Sequence, residues 1–199
     1  MPDRFHFKTI EICLCQLVRF LLDDEVVVNA VFKNISYFFC IETYYKDSGL
    51  VWVLAKNGEL PGNAIQGGYE KDGTPVYVSR FVTKEGQLSP GKFHQPLGTA
   101  YSSWGGIEHS SKIYQVLTHP NQVDALKWVT ASNGYLPSGA IRAGGDPGKN
   151  DLYIARAPLL GGLCCGKYQP THKCAYLPFG GKEHPVPICE VLCIASLDF

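Results

Sequence analysis

The amino-acid sequence predicts an all-β protein made of two tandem antiparallel units. Three observations carry that expectation. The chain repeats itself over most of its length. Its 21 Gly and 13 Pro are spread among short apolar runs, which is the punctuation of many turns. Neither copy holds an apolar stretch of helical 3.6-residue period longer than a single turn.

The repeat is anchored at tryptophan. Trp52-Val53-Leu54-Ala55-Lys56-Asn57-Gly58-Glu59-Leu60-Pro61 aligns with Trp128-Val129-Thr130-Ala131-Ser132-Asn133-Gly134-Tyr135-Leu136-Pro137, an offset of 76 (128 − 52). The same offset carries Ala64/Ala140, Ile65/Ile141, Gly68/Gly144, Tyr77/Tyr153 and Arg80/Arg156. One extra residue in the first copy, between Arg80 and Gly86, changes the offset to 75 (161 − 86). Gly86/Gly161, Leu88/Leu163, Gly91/Gly166, Lys92/Lys167, Tyr101/Tyr176, Gly105-Gly106/Gly180-Gly181, Glu108-His109/Glu183-His184 and Val116-Leu117/Val191-Leu192 follow. Identity that dense, with one gap, marks a duplication. It divides the chain into an extension over 1–50, a first copy over 51–120 and a second over 127–195, the two copies forming one folded unit.

Within a copy the elements follow in order. Trp52 to Ala55 is a short apolar strand, closed by the Asn57-Gly58 turn signal. Val76 to Phe81 is a second strand, with Tyr77 and Arg80 on opposite faces by the period of two. Pro90-Gly91-Lys92 reads as a tight turn. Tyr101 opens a strand that Gly105-Gly106 breaks, and Ile113 to Leu117 forms another. Strands at this spacing fit an antiparallel sheet or small barrel.

Taken together, the ordered motifs W-V-x-A-x-N-G-x-L-P, G-G-x-[DE], Y-V-x-R, G-x-L-x-P-G-K and G-G-x-E-H resemble the DM-nine repeat over about residues 51 to 195. The resemblance implies a compact all-β protein whose two repeats pack about a pseudo-twofold axis and exchange strands. It also implies function. Characterised relatives include mannose-binding lectins that recognise microbial glycans in innate defence, and intracellular proteins that respond to infection; the family has no accepted catalytic role. In its mannose-binding members an Asp after the Gly-Gly and the Lys of Pro-Gly-Lys hold the sugar. The matching carbohydrate-binding positions are Glu70 and Lys92 in the first copy and Asp146 and Lys167 in the second. Two departures stand out. Glu70 lengthens the acceptor arm by one methylene, and Cys165 replaces Pro in what reads as the turn that aims Lys167.

The chemistry of such a pair suits a sugar. A carboxylate accepts from adjacent hydroxyls and an ammonium donates to their oxygens, each charge-assisted bond contributing about 1.5–3 kcal/mol. The competing reading is a surface ion pair worth roughly 0–1 kcal/mol. Two sites per chain, or four in a homodimer, raise apparent affinity through effective concentration. A second class of function is an infection-responsive interaction or scaffold protein with no sugar ligand.

Composition narrows the partners. Lys plus Arg and Asp plus Glu each number 18, so there is no net basic charge of the kind nucleic acid selects. The eight cysteines contain no C-x-x-C pair, which argues against a zinc site and for free thiols in a reducing compartment. No other metal or cofactor is indicated. Ile10 to Leu22 is interrupted by Glu11, Gln16 and Arg19. It is too short for a transmembrane segment and lacks the pattern of a signal peptide. The expected location is therefore the cytoplasm, on vesicles or free. Val26 to Tyr45 reads as one or two strands, Ile10 to Leu22 as a short amphipathic helix, and Asn34-Ile35-Ser36 as a chance glycosylation pattern.

Several residues compete for a chemical role. Glu108-His109 and Glu183-His184 are the most enzyme-like, but strand neighbours point to opposite faces. They are expected to tie down the loop after Gly-Gly. Trp52 and Trp128 have the rings to stack on a sugar and the apolar setting of core residues. Tyr101 and Tyr176 pose the same choice. Arg80 and Arg156 are expected to bridge strands or pair with an acid.

Overall fold

The computed structural model describes residues 49–119, 126–146 and 150–195. The readings made for Ile10–Leu22, Val26–Tyr45, the sequon and Cys13, Cys15 and Cys40 lie outside the described residues.

The first copy folds into β1 (Val51–Lys56), β2 (Gln66–Tyr69), β3 (Pro75–Val82), β4 (Leu88–His94), β5 (Thr99–Trp104), β6 (Ile107–Ser111) and β7 (Ile113–Thr118). The second folds into β8 (Leu126–Ser132), β9 (Arg142–Asp146), β10 (Asn150–Leu159), β11 (Gly162–Gln169), β12 (Cys174–Phe179), β13 (Lys182–Val186) and β14 (Ile188–Ile194). Two single-turn 3₁₀ segments, Gln95–Leu97 and Pro170–His172, occupy matching places before β5 and β12. The fold is all-β, as the turn-rich sequence predicts, and every strand pairing is antiparallel.

The sheet order is β1-β7-β3-β4-β5-β6-β13-β12-β11-β10-β14-β8. Its second half is its first half reversed, each strand replaced by its mate in the other copy. The centre of the pseudo-twofold lies between β6 and β13, where Lys182 pairs with Ile107. Strand exchange closes the sheet into a barrel. β2 leaves its own half to pair with β11 (Tyr69 with Leu163) while still pairing β3, so the circuit runs β3-β4-β5-β6-β13-β12-β11-β2 and back. On the opposite side Gly144 of β9 abuts the Leu88 carbonyl of β4, as Gly68 of β2 abuts that of Leu163.

Burial follows this arrangement. β3 and β10 are covered on both faces. One hydrophobic cluster draws Trp52, Val78, Leu88 and Leu117 from the first copy and Ile141, Ile154, Cys165 and Leu192 from the second. Two satellite clusters belong to one copy each, around Phe93 and Tyr114 in the first and Tyr168 and Leu177 in the second.

The Asn-Gly signals are turns: Asn57 and Asn133 take φ of 50° and 53°, and Gly58 and Gly134 take 95° and 82°. Pro90-Gly91-Lys92 is not. It lies inside β4, where Arg80 faces Pro90 and Gly91 pairs with Ser79 and Ser102. Gly91 is glycine because a Cβ there would overlap the Tyr101 carbonyl oxygen, and Gly166 stands in the same relation to Tyr176. Close approach between strands, rather than a bend, is what the motif supplies. Cys165 accordingly loosens no turn; it sits in β11 opposite Arg156, in the shared core.

Candidate functional site

Lys92 projects from β4, flanked by Val78 on β3 and Tyr101 on β5. Its ammonium donates to Glu70 Oε1 at 2.8 Å. Glu70 follows β2 directly, and a tight turn holds it: its N–H donates to the Thr74 carbonyl at 2.8 Å and its own carbonyl accepts from Gly73 N–H at 2.9 Å. The spacing of Glu70 and Lys92 in sequence thus becomes contact. The pair is not a surface ion pair, because the Lys92 side chain is 5% exposed and that of Glu70 21%. The Lys92 ammonium lies 4.9 Å from the centre of the Phe179 ring, which belongs to the second copy.

Lys167 occupies the equivalent place on β11. Its partner is Glu183, with Nζ 2.9 Å from Oε1 and side-chain exposures of 3% and 9%. It also donates to the Ser103 carbonyl of the first copy. The ammonium sits 4.4 Å from the Trp104 ring centre and 5.4 Å from that of Tyr176. The backbone of Asp146 ends β9 opposite Asn150; its side chain lies outside the described residues. The carboxylate that the structure places beside Lys167 is thus Glu183, a residue the sequence reading did not assign to it.

Burial dominates the electrostatics of both lysines and works against their charge. For Lys92 the neighbouring Cys164 and Glu70 outweigh it, and its pKa ends above the ordinary value. For Lys167 the Glu183 hydrogen bond and charge only partly offset it, and the pKa ends below. Burial also pushes the Cys164 thiol to about 11 and that of Cys165 to about 12. Five cysteines, Cys164, Cys165, Cys174, Cys189 and Cys193, are free thiols among the described residues.

Each lysine is therefore completed by the hairpin of the other copy. Two acids bind those hairpins together. Glu183 Oε2 accepts from Gly106 N–H and Glu108 Oε2 from Gly181 N–H, both at 2.7 Å. The backbone adds Glu108 N–H to the Gly181 carbonyl at 3.2 Å and Glu183 N–H to the Gly106 carbonyl at 3.1 Å. The histidines close their own hairpins: His109 Nε2 lies 3.1 Å from the Trp104 carbonyl, and His184 Nε2 lies 3.0 Å from that of Phe179. Glu and His of the G-G-x-E-H motif thus face different partners and form no acid–base dyad.

Trp52 is buried, and the Arg80 guanidinium stacks 4.1 Å above its ring; Arg156 does the same over Trp128. Arg80 Nε donates to Gln115 and Arg156 Nε to Glu190, both at 2.7 Å. These tryptophans serve packing. The aromatic rings nearest the lysines are Trp104 and Phe179, which sequence reasoning passed over; Tyr176, which it raised, lies farther from Lys167. The signal was an aromatic residue before Gly-Gly in both copies. Among the described residues, no group of three or more His, Cys, Asp or Glu is placed to hold a metal, and no helix is long and apolar enough to cross a membrane.

Comparison with known proteins adds context to this geometry. A family model described as DM9 repeat matches residues 34–98 and 82–186, well over half of the chain. The matched span starts ahead of Trp52, in the stretch read from sequence as an extension. Natterin-4 of Thalassophryne nattereri is 30% identical over 137 residues, covering 69% of this chain and 32% of that protein. Natterin-1 of the same fish is 26% identical over 141 residues, covering 69% and 36%. The chain thus spans about a third of the length of the curated relatives it matches. Among solved structures, the nematode sperm cell motility protein MFP2B aligns with a TM-score of 0.57 at 20% identity, over 75% of this chain and 48% of that one. That likeness concerns the fold.

Proposed function

The chain belongs to the DM9 repeat family, and from that premise we propose that it is a lectin-like protein that binds mannose or mannose-containing glycans in the recognition of microbes. The observation that carries the reading is the Glu70–Lys92 pair: an acceptor and a donor of opposite charge 2.8 Å apart, beside the Phe179 ring. A pyranose offers adjacent hydroxyls to such a pair and a C–H face to such a ring. The pair needs no ordering on binding, since Glu70 is fixed by its turn and Lys92 by burial, which lowers the entropic cost. Asp146 and Lys167 are the corresponding candidates in the second copy.

The reading assigns no catalytic step, metal or cofactor. One such site is expected to bind a monosaccharide at roughly millimolar Kd, because water competes for every hydrogen bond. Pairing sites in a homodimer would raise retention on a polyvalent glycan. A cytoplasmic or vesicle-bound location goes with the reading, motivated by the free thiols.

Retention on mannose-agarose, backed by a glycan array, tests it. The parent protein should be retained and eluted by free mannose, and Lys92→Ala combined with Lys167→Ala should run through. Equal retention of the double variant would show the site to be elsewhere. A second reading, an interaction protein without a sugar ligand, draws on the near-complete burial of Lys167 and Glu183. It predicts no retention on any glycan and recovery of specific protein partners instead.

A further inference from the structure

The duplication placed a lysine at the same position in each copy, yet the surroundings of the two differ in kind. Lys92 meets a carboxylate of its own copy, Glu70, which reaches solvent through 21% of its side chain. Lys167 meets a carboxylate that is 9% exposed and that simultaneously accepts from Gly106 N–H of the other copy. Among the described residues, the Ser103 carbonyl, the rings of Trp104 and Tyr176 and the Cys174 thiol also lie around it. An ammonium has three N–H donors and no acceptor. At Lys167 the ammonium donates to a carbonyl, sits at ion-pair distance from a carboxylate and lies near two aromatic rings, all from the protein. A hydroxylated ligand would have to displace Glu183 from both Lys167 and Gly106.

We infer that the two lysines have divided roles: Lys92 with Glu70 is the ligand-contacting pair, and Lys167 with Glu183 is a clasp that fastens the second copy to the β5–β6 hairpin of the first. The ligand half of this inference rests on the lectin-like reading above. The clasp half stands on contacts alone. Glu183 and Trp104 are then positioning residues of the interface between copies. The duplicated chain presents one sugar site rather than two, and polyvalent binding has to come from association of chains.

The experiment crosses two readouts, retention on mannose-agarose and Tm, over three variants. Lys92→Ala should abolish retention. Glu183→Gln should leave retention at the parental level and lower Tm by roughly 5–15 °C, because it strips a buried ammonium of its counter-charge. Adding Lys167→Met to Glu183→Gln should recover much of that Tm, since no unpaired charge then remains. Titration with a mannose oligosaccharide should give one site per chain. A change of retention in Glu183→Gln, in either direction, or two sites per chain, would overturn the division of roles. An unchanged Tm in Glu183→Gln would overturn the clasp. If the parent protein is not retained on any glycan, the lectin-like reading and the ligand half fall together, while the thermal comparison still decides the clasp.

Discussion

At the scale of single residues, the duplication shows how one position can be kept while its chemistry drifts. The Arg–Trp stack is the clearest case. Arg80 is fully buried, stacked on Trp52, with Nε on Gln115 at 2.7 Å and Nη1 on the Ala143 carbonyl at 3.3 Å. Arg156 repeats the stack over Trp128 but is 21% exposed and pairs with Glu190, itself 40% exposed. Lysine lacks the planar fork that serves ring and acceptors together. Arg80→Lys should therefore cost about 2–3 kcal/mol, from a lost stack and buried acceptors left without a donor. Arg156→Lys should cost under about 1 kcal/mol, because water reaches Glu190. Urea unfolding of both variants checks the ranking, and equal losses would refute it. Phenols have drifted similarly. Tyr114 donates to the Glu59 carbonyl at 2.9 Å in the first copy, whereas Tyr168 donates to the Tyr135 carbonyl at 3.0 Å in the second. These tyrosines are on β7 and β11, which are not mates, so the same turn is pinned from a different strand.

At the scale of elements, the exchange strands depend on glycine in a way that local pattern hides. In β2, a Cβ on Gly68 would overlap the Leu163 carbonyl of the partner copy, and nothing flexible stands there to give way. Gly68→Ala should push β2 off β11 and lower stability by about 2–4 kcal/mol, in the range of other overpacked sites. Gly73→Ala is the control: it has a φ of +87° but open space around it, so it should cost only about 1 kcal/mol of backbone strain. Thermal melts of the two variants test this, and a milder effect at Gly68 would mean that β2 is not held by exchange. The same glycines explain what was legible in the sequence. β1, β3, β5 and β7 could be read because their apolar residues recur at strand spacing, and the Asn-Gly turns because they need positive φ. β2 and β4 could not. Gly67-Gly68 and Pro90-Gly91 mark close approach in the fold, but in sequence they look the same as turns. The site divides likewise. Glu70 and Lys92 meet within one copy, at the two positions that the family resemblance marks. Glu183 reaches Lys167 from β13 of the same copy and Trp104 reaches it from the first copy across the pseudo-twofold axis, and no motif in the sequence singles out either contact.

At the scale of the whole molecule, neither copy is closed by itself. The barrel circuit passes through both, β2 bridges them, and the central cluster mixes their side chains. The hairpin clasp adds reciprocal hydrogen bonds at the centre of symmetry. Separating the copies would expose the shared cluster, including Val78, Leu117, Ile141, Ile154 and Leu192, each of which is 1% exposed or less. At about 25 cal/mol per Å² of apolar surface, that exposure opposes any state with only one copy folded. Unfolding of the described barrel should therefore be a single cooperative transition despite the internal repeat. The decisive variant is one confined to a satellite cluster. Phe93 is fully buried and stacks on Tyr114 at 4.5 Å between ring centres, within the first copy. Phe93→Ala should cost about 3–5 kcal/mol. If the copies unfold as one, the whole transition moves to lower urea with its slope unchanged, and tryptophan fluorescence and far-UV circular dichroism remain coincident. If they are independent, the curve splits, with one half of the signal moving and the other staying at the parental midpoint. The single shifted transition is the expected result, because every path that frees the first copy also strips β11 of its exchange partner β2.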